Sequence, residues 1–458
     1  MRVAETRWAQ QVLESGIRRM LRNPEENLTR MAHLIADHAP DPEHRRMASV
    51  VLRYLEDKES NWYQLAHRLF QQIHPNVINR MAVNFFLKAN ILGVPRQRQA
   101  AQELGVSVPW AILMDPTERC NLRCKGCWAG DYQRTHELGL DTMDRIVREG
   151  KELGIYFYVI SGGEPTVRMD WIFELARRHP DAVFHLFTNG TLVTPEMAQQ
   201  MVDLGNITMA ISIDGLEETT DQRRGQGVFQ KVMHTMDILR EAGVVFGFSA
   251  TYTRKNTEEV SSDEFIDLMI DKGAAFGWYF TYIPIGRDVD LEFMATPEQR
   301  GYMYQRLKEL RRTKPIFLVD FWNDGEWARG CIAGGRKYFH INANGDVEPC
   351  AFVHYATCNI KDMSLREALQ NPLFKAYQKR QPFNVNQLRP CPLIDNPEVM
   401  VEMVRESGAY FTQLTCDETP EEFAAKLAPY ASRWGQKAAE LRPQDELLRE
   451  KEKELSLR

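Results

Sequence analysis

The sequence contains no run of about eighteen apolar residues, so it predicts no membrane-spanning helix. Residues 1–9 carry charged side chains and no apolar stretch follows them, so we expect no secretory signal. The formal net charge of −6 gives no electrostatic argument for nucleic-acid binding. Internal repeats and low-complexity tracts are also absent. With 43% apolar and 26% charged residues among 458, these absences predict a cytoplasmic globular protein of more than one domain.

Eight cysteines in a chain of this length fit metal ligation better than a disulfide framework. Cys120, Cys124 and Cys127 form a Cys-x3-Cys-x2-Cys segment directly after residues 110–115, a predicted buried strand. Three thiolates this close can ligate three irons of a cubane cluster and leave the fourth iron without a protein ligand. The alternative is a structural zinc site, which usually needs a second cysteine pair or histidines. Because neither lies nearby, the spacing favours the iron–sulfur cluster.

A second predicted strand, residues 156–160, is followed by Gly162, Gly163 and Glu164. Two glycines let the backbone approach a ligand closely, and the carboxylate can accept a hydrogen bond from an ammonium group. Alone, this segment would be an ordinary turn. Its position one helix and one strand after the cysteines predicts a ligand site shared with them.

Three further strands are predicted over residues 183–187, 208–213 and 245–251, and polar residues follow each of them. Helical patterns separate the strands. This alternation over about two hundred residues predicts a parallel sheet with right-handed crossovers.

In this order the motifs resemble those of the radical SAM superfamily, over residues 109–316. The resemblance implies an α/β fold, namely a partial (β/α)6 TIM-like barrel between an N-terminal helical region and a small C-terminal cluster-binding module. It also implies that Cys120, Cys124 and Cys127 hold a 4Fe–4S cluster whose open iron binds S-adenosylmethionine (SAM). The implied cofactor-binding residues are Gly162, Gly163, Glu164, Thr188, Asn189, Ser212, Asp214 and Arg254, with Arg223 and Arg224 as alternatives to Arg254.

One position departs from the superfamily pattern. The residue before the third cysteine is often aromatic and packs near the adenine, whereas here it is Gly126. We therefore expect Trp128, just after that cysteine, to take over the adenine contact. On the strand over residues 278–283, three aromatic side chains are expected either to line a substrate cavity or to fill the barrel core: Tyr279, Phe280 and Tyr282.

A second group of cysteines follows the predicted barrel, and Asn344-Gly345 predicts a hairpin between two of them. Cysteines at both ends of a hairpin can converge on one metal centre, although buried free thiols would also explain some of them. The pattern resembles the SPASM and twitch modules of radical SAM enzymes, which implies one auxiliary 4Fe–4S cluster. Cys416 is an alternative to the least certain of the four expected ligands, Cys358. Those ligands are Cys331, Cys350, Cys358 and Cys391.

The remaining regions are predicted to be helical. The expected divisions are residues 1–106 (helical region), 107–316 (radical SAM core), 317–400 (auxiliary module) and 401–458 (helical tail). Residues 76–92 form the most apolar helix. It is expected to pack against the barrel, and the alternative is an apolar surface that meets a membrane interface.

The resemblance implies an enzyme that reductively cleaves SAM to a 5′-deoxyadenosyl radical, which abstracts hydrogen from an unactivated carbon. A reductant such as ferredoxin or flavodoxin would supply the electron. A weaker resemblance to radical SAM enzymes of hopanoid and membrane-spanning lipid synthesis implies a lipid acyl chain as substrate, with carbon–carbon bond formation and peripheral contact with the membrane. The alternative is a SPASM-type maturase of a ribosomal peptide, and the last hypothesis is a non-catalytic iron–sulfur electron carrier.

Overall fold

The centre of the protein is one large sheet. A computed structural model describes residues 42–130, 135–413 and 418–443, together with residues 29, 30, 33, 36 and 37. The strands of this sheet are β1 (Ala111–Met114), β2 (Phe157–Ile160), β3 (Val183–Thr188), β4 (Ile207–Ser212), β5 (Phe246–Tyr252), β6 (Phe276–Thr281), β7 (Phe317–Asp320), β8 (Tyr338–Ile341) and β9 (Val347–Glu348).

The strand order is β7-β6-β5-β4-β3-β2-β1-β8-β9. All neighbours from β7 to β8 are parallel, and only β9 runs antiparallel to its partner. The predicted partial (β/α) barrel is confirmed. The structure adds that β8, the first strand of the predicted hairpin, pairs with β1 in register, with Ala111 opposite Tyr338. The auxiliary hairpin is therefore an edge of the barrel sheet.

Helices connect the strands on the outer face of the sheet, as parallel pairing requires. They are α5 (Leu140–Glu152), α6 (Met169–Arg178), α7 (Pro195–Leu204), α8 (Glu217–Arg224), α9 (Val228–Ala242), α10 (Thr257–Val260), α11 (Asp263–Asp271), α12 (Pro297–Thr313) and α13 (Gly325–Ala328). Side-chain caps define several of their starts: Thr194 caps α7, and Thr296 forms a capping box with Gln299 at α12.

Within residues 42–104, helical segments precede β1 and lie across the end of the barrel at which the strands begin. They are α1 (Pro42–Glu56), α2 (Asn61–Gln72), α3 (Pro75–Met81) and α4 (Gly93–Leu104), with a π-helix (Ala82–Leu92) joining the last two. We call residues 61–104 the floor. Its side chains donate to backbone carbonyls in the helix ends and loops that lead into the strands: Arg68 to Ala274 (2.8 Å), Asn76 to Val202 (2.7 Å), Asn84 to Pro180 (2.9 Å) and Gln97 to Gly154 (2.9 Å).

The expectation that residues 76–92 pack against the barrel agrees with these contacts, since Val77, Val83 and Leu87 are buried. Within the same helical stretch Phe86 and Ile91 are exposed. No helix among the described residues is long and apolar enough to cross a bilayer.

The auxiliary module follows β8. It contains β9, the short pair β10 (Tyr355–Ala356) and β11 (Tyr410–Phe411), and the helices α14 (Leu365–Leu369), α15 (Pro372–Arg380), α16 (Pro397–Ser407) and α17 (Pro420–Leu441). A buried ion pair between Arg300 on α12 and Asp395 joins the module to the barrel (2.5 Å), and the Arg300 guanidinium lies 4.1 Å from the ring centre of Trp434.

The domain limits predicted from the sequence stay predictions. Cys416 and residues 444–458 lie outside the described residues.

Candidate functional site

The three-cysteine loop follows β1 and is held by hydrogen bonds from three other segments. The backbone N–H of Glu164 donates to Arg119 (2.8 Å), and that of Lys125 donates to Arg223 (2.8 Å). The backbone N–H of Arg287 donates to Cys127 (3.1 Å). The loop is thus positioned by the segments after β2, β4 and β6, as expected where parallel strands end at one edge.

The donor set of this loop fits a 4Fe–4S cluster. Burial raises the pKa of the Cys120 thiol to about 11, and Glu164 with the neighbouring thiols Cys127 and Cys124 adds to the rise. Arg223 and Arg287 act in the opposite direction on Cys127. Three thiols beside fixed cations suit a cluster whose thiolate ligands carry negative charge. No three cysteine, histidine or acidic side chains among the described residues are grouped closely enough for a single metal ion.

The two glycines after β2 are required by the cysteine loop itself. A Cβ atom on Gly163 would lie 2.4 Å from the carbonyl oxygens of Glu118 and Arg119, and one on Gly162 would lie 2.6 Å from that of Thr117. Any side chain here would separate the two loops. Close backbone approach was predicted at these positions for a ligand, and the structure shows it between protein segments.

Glu164 organises the strand ends beside the cysteines. It is 1% exposed. Its Oε1 accepts hydrogen bonds from the N–H and hydroxyl of Thr166 (3.0 and 2.6 Å) and from the Thr188 hydroxyl (2.6 Å). Oε2 accepts from the Asn189 N–H (2.7 Å), and the Asn189 amide donates to Asn121 in the cysteine loop (2.9 Å). Burial outweighs these hydrogen bonds and raises the pKa of Glu164. Because Oε2 accepts only the hydrogen bond from Asn189 among the described residues, it can accept a second from one further donor.

Asp214 is buried between two arginines. Its Oδ2 accepts from Arg223 Nη1 (2.8 Å) and Arg224 Nε (2.6 Å), and Oδ1 accepts from the Thr251 N–H (3.0 Å). Burial would raise the pKa of Asp214, but the two guanidinium groups lower it to about 2. Asp214 is therefore a fixed anion that holds both arginines next to the cysteine loop.

The predicted basic residue Arg254 is held by the segment after β6. Its guanidinium forms an ion pair with Glu292 and donates to the Met294 carbonyl (3.2 Å). The structure brings the alternatives Arg223 and Arg224 beside the cysteines, and the role predicted for Arg254 stays a prediction. Ser212 is half-buried at the end of β4, on the side of the strand that faces the barrel interior.

Tyr282 explains the glycine at position 126. Gly126 has φ +63°, and a Cβ atom on it would lie 2.7 Å from the Tyr282 ring. The aromatic ring that the superfamily pattern places within the loop comes here from the segment after β6. Trp128 instead packs in the auxiliary module, with ring centres 5.6 Å from Phe352 and 6.0 Å from His340.

A buried charged triad that sequence reasoning missed connects the cysteine loop to the auxiliary hairpin. His340 on β8 lies between Asp115 (2.9 Å from Nε2) and Glu348 (2.6 Å from Nδ1). Burial lowers the His340 pKa, but the two carboxylates outweigh burial and raise it to about 10. Thr412 also donates to Glu348. Only the pairing of β8 with β1 could have revealed this triad.

Aromatic side chains point into the barrel. Ring centres follow one another from Phe157 to His185 (6.0 Å), to Phe187 (5.1 Å), to Phe280 (5.6 Å) and to Phe352 (6.1 Å). Along β6 the inward side chains, Phe280 among them, are half-buried, whereas the outward ones are buried. The interior therefore keeps accessible space lined by aromatic rings.

The three aromatic residues expected on this strand lie in three different environments. Phe280 faces the interior. Tyr279 faces the helices, and its hydroxyl donates to the Val260 carbonyl (2.6 Å). Tyr282 lies over the cysteine loop. One polar group is buried among the inward rings: His185 Nδ1 lies 2.8 Å from the Thr208 hydroxyl, and burial lowers the His185 pKa to about 3.

Three of the four predicted auxiliary ligands come together. Cys331, Cys350 and Cys391 line one cavity of about 230 Å³ between β7 and β8. Burial raises the pKa of each thiol to about 12. Cys350 Sγ lies 2.6 Å from the Tyr338 hydroxyl.

Cys358 does not join this group. Its carbonyl accepts from the Val347 N–H (3.0 Å), and it packs against the core between sheet and helices. The pairing of its segment with β9 turns it away from the cavity. The predicted substitute, Cys416, lies outside the described residues.

The sequence matches the radical SAM superfamily over residues 114–265 and the SPASM iron–sulfur cluster-binding domain over residues 331–392. The chain therefore contains a radical SAM domain followed by a SPASM domain. The resemblance proposed from the cysteine and Gly-Gly-Glu motifs is confirmed, and with it an enzyme whose cofactors are a 4Fe–4S cluster, SAM and auxiliary iron–sulfur clusters.

Similar proteins of known activity include the AdoMet-dependent heme synthase of Methanosarcina barkeri, which is 27% identical over 58% of this chain and 83% of its own. The mycofactocin maturase MftC of Mycolicibacterium smegmatis is 30% identical over 55% of this chain and 66% of its own. Among solved structures, Streptococcus suis SuiB bound to SAM covers 71% of this chain and 82% of its own. Its TM-score is 0.56 at 16% identity, which shows a shared fold.

We predict that Glu164→Gln weakens SAM binding while the thiol loop keeps its iron. The variant keeps the size of the side chain but replaces a carboxylate that can accept from an ammonium group. Hydrogen bonds to charged groups contribute about 1.5–3 kcal/mol, so the dissociation constant should rise roughly tenfold or more. Anaerobic equilibrium dialysis with labelled SAM measures it, with Glu174→Gln on the outer face of α6 as the control. Unchanged affinity in folded Glu164→Gln protein would contradict this role.

The triad predicts a specific pH dependence of stability. The folded pKa of His340 is about 10, above the ordinary value near 6.5. Its contribution is therefore complete below about pH 6.5 and disappears as pH rises through 10. His340→Gln should lower the free energy of unfolding by about 3–5 kcal/mol at pH 6 and remove this slope. Denaturant titrations from pH 6 to 10 test it, with exposed His234→Gln as control. Parallel profiles for His340→Gln and the wild type would refute the prediction.

Proposed function

We propose that this enzyme reductively cleaves SAM and removes a hydrogen atom from an unactivated carbon of a substrate held inside the barrel. One observation carries the proposal. The cysteine loop, Glu164 and the Asp214 group meet at the carboxyl edge of the sheet, beside the accessible aromatic interior. When bound, the cluster and SAM supply a 5′-deoxyadenosyl radical.

In this proposal each group of residues has a different role. Cys120, Cys124 and Cys127 are the thiolate ligands. Arg223 and Arg224, held by Asp214, offset the negative charge at the loop and are available to a carboxylate, which arginine binds in bidentate geometry. The further residues proposed to contact SAM are Gly162, Gly163, Glu164, Thr188, Asn189 and Ser212.

The auxiliary module is proposed to bind its cluster through Cys331, Cys350 and Cys391. Their cavity also has Trp278 and Phe321 in its wall, so it adjoins the aromatic interior. That position suits a centre that takes or supplies an electron for the substrate. A reductant such as ferredoxin or flavodoxin is proposed to feed the first cluster.

A peptide is the first substrate candidate. Two groups of similar proteins have names that describe peptide modification: the MftC maturases and the PqqA peptide cyclase of Bradyrhizobium diazoefficiens, which is 27% identical over 56% of this chain. The SuiB fold has also been solved with its precursor peptide SuiA, with a TM-score of 0.55. A peptide side chain inserted between the inward rings would present its carbon to the radical.

A lipid acyl chain is the second candidate, and a separate observation favours it. Apolar rings on β2, β3 and β6 line part of the interior, and His185 is the one titratable group in the aromatic series described above. Burying an apolar chain against such a wall is favourable by about 25 cal/mol per Å². None of the similar proteins named above has a name that describes a lipid substrate, so this candidate depends on the aromatic interior alone.

Iron content tests the ligand assignment. Anaerobically reconstituted wild type should hold about eight irons, and replacing Cys120, Cys124 and Cys127 together by alanine should leave about four. Because Cys358 lies apart from the auxiliary cavity, Cys358→Ala should keep all its iron, whereas Cys350→Ala should lose about four. Loss of iron in Cys358→Ala equal to that in Cys350→Ala would contradict the assignment.

Deuterium transfer distinguishes the substrate classes. Peptide and lipid fractions from source cells grown in deuterated medium are incubated anaerobically with reduced enzyme and unlabelled SAM. Mass spectrometry then detects deuterium in 5′-deoxyadenosine, with Cys124→Ala as the inactive control. Transfer from the peptide fraction supports the first candidate, and transfer from the lipid fraction alone replaces it by the second. SAM cleavage without transfer from either fraction would contradict both.

A further inference from the structure

The floor exposes large apolar side chains on its outer surface. Phe86 is 63% exposed and Ile91 is 58% exposed, although Val83 and Leu87 of the same π-helix are buried against the barrel. Phe85 differs from its neighbour, because it contacts Trp110 (5.8 Å) and Phe157 (5.4 Å) inside the barrel entrance. The helix is therefore apolar on both faces, and only its inner face is covered.

A cluster of cations lies at the neighbouring edge of the sheet. Arg98, Arg329 and Lys337 are exposed, and their side chains form neither hydrogen bonds nor ion pairs with the described part of the chain. Burial lowers the pKa of Lys337, and Arg336, Arg98 and Arg329 lower it further by repulsion. Unpaired cations this close to one another attract an anionic partner, and they occur in a chain whose net charge is −6.

Trp110 links the apolar and cationic groups into one surface. Its backbone N–H donates to the Lys337 carbonyl (2.8 Å), and its indole Nε1 donates to Ala89 (3.1 Å), two residues before Ile91. On the other side of the cations, Trp327 is 78% exposed, two residues before Arg329. We call Phe86, Ile91, Arg98, Trp327, Arg329 and Lys337 the docking surface.

We propose that the docking surface binds an anionic lipid bilayer. Exposed aromatic and aliphatic side chains next to unpaired arginine and lysine residues are the arrangement by which proteins lie in a membrane interface. The cations match the negative headgroups, and the apolar side chains enter the boundary between headgroups and acyl chains. A nucleic acid would match the cations but would leave Phe86 and Ile91 uncovered.

The surface lies beside the cavity that contains the auxiliary cysteines. Ala328 and Gly330 flank Arg329 and line the cavity between β7 and β8, which also contains Trp278 and Phe321. If the acyl-chain candidate is correct, docking would bring the barrel close to its lipid substrate. Docking itself does not depend on that candidate.

Co-sedimentation with vesicles tests the proposal, using the full chain without SAM or reductant. Wild type should bind vesicles of equal phosphatidylglycerol and phosphatidylcholine, should bind pure phosphatidylcholine far more weakly, and should be released by salt. Each cation near an anionic surface is worth about fivefold in affinity, so Arg98→Gln with Lys337→Gln should weaken binding roughly 25-fold. Phe86→Ser with Ile91→Ser should also weaken it, at any salt concentration.

Two exposed positions away from the docking surface provide matched controls. Lys231→Gln on α9 removes an unpaired cation, and Tyr302→Ser on α12 removes an exposed ring. Both should bind as the wild type does. Circular dichroism confirms folding of each variant, and 5′-deoxyadenosine formation is assayed separately, so its loss would count only against the proposed function. Absence of binding by folded wild type, equal loss in the controls, or binding of DNA in place of vesicles would overturn the proposal.

Discussion

The hydrogen bonds that β1 makes on both of its edges hold the site together. On one edge β1 pairs with β2, and the Ser161 N–H donates to Met114 (3.1 Å). On the other edge it pairs with β8, and the Asp115 N–H donates to Ile341 (3.0 Å). The cysteine loop leaves the end of β1 between these neighbours. The Gly-Gly-Glu turn and the auxiliary hairpin are therefore positioned by the same strand as the cysteines.

This arrangement separates charge from apolar surface. Two groups of buried charges lie at the carboxyl edge, and in each the opposite charges come from different segments: Asp214 with Arg223 and Arg224, and His340 with Asp115 and Glu348. Removing one member of such a group leaves an unpaired buried charge, which costs more than the group contributes. Inside the barrel, aromatic rings from β2, β3 and β6 form part of the lining. A polar cofactor at the edge and a carbon–hydrogen bond in the interior each meet a matching environment.

Local patterns predicted those parts of the site that depend on neighbouring residues. The cysteine spacing, the glycines before Glu164 and the polar ends of β3 and β4 are each readable within a few residues, and strands alternating with helices predict the parallel sheet. The pairing of β8 with β1 joins residues more than two hundred positions apart, so the Asp115–His340–Glu348 triad could not be foreseen.

Other details depended on the same long-range packing. Tyr282 fills the space above Gly126, and Arg254 forms an ion pair with Glu292. Cys358 follows the hairpin in the sequence as expected, but the pairing of its segment with β9 separates it from the other auxiliary cysteines.

The most direct test of the central claim is electron–nuclear double resonance of the reduced wild type with SAM carrying ¹⁵N in its amino group. We predict a ¹⁵N coupling that places the amino group of SAM beside the open iron of the first cluster, on the side where Glu164 lies. A spectrum without that coupling, from protein that retains the cluster and binds SAM, would contradict it.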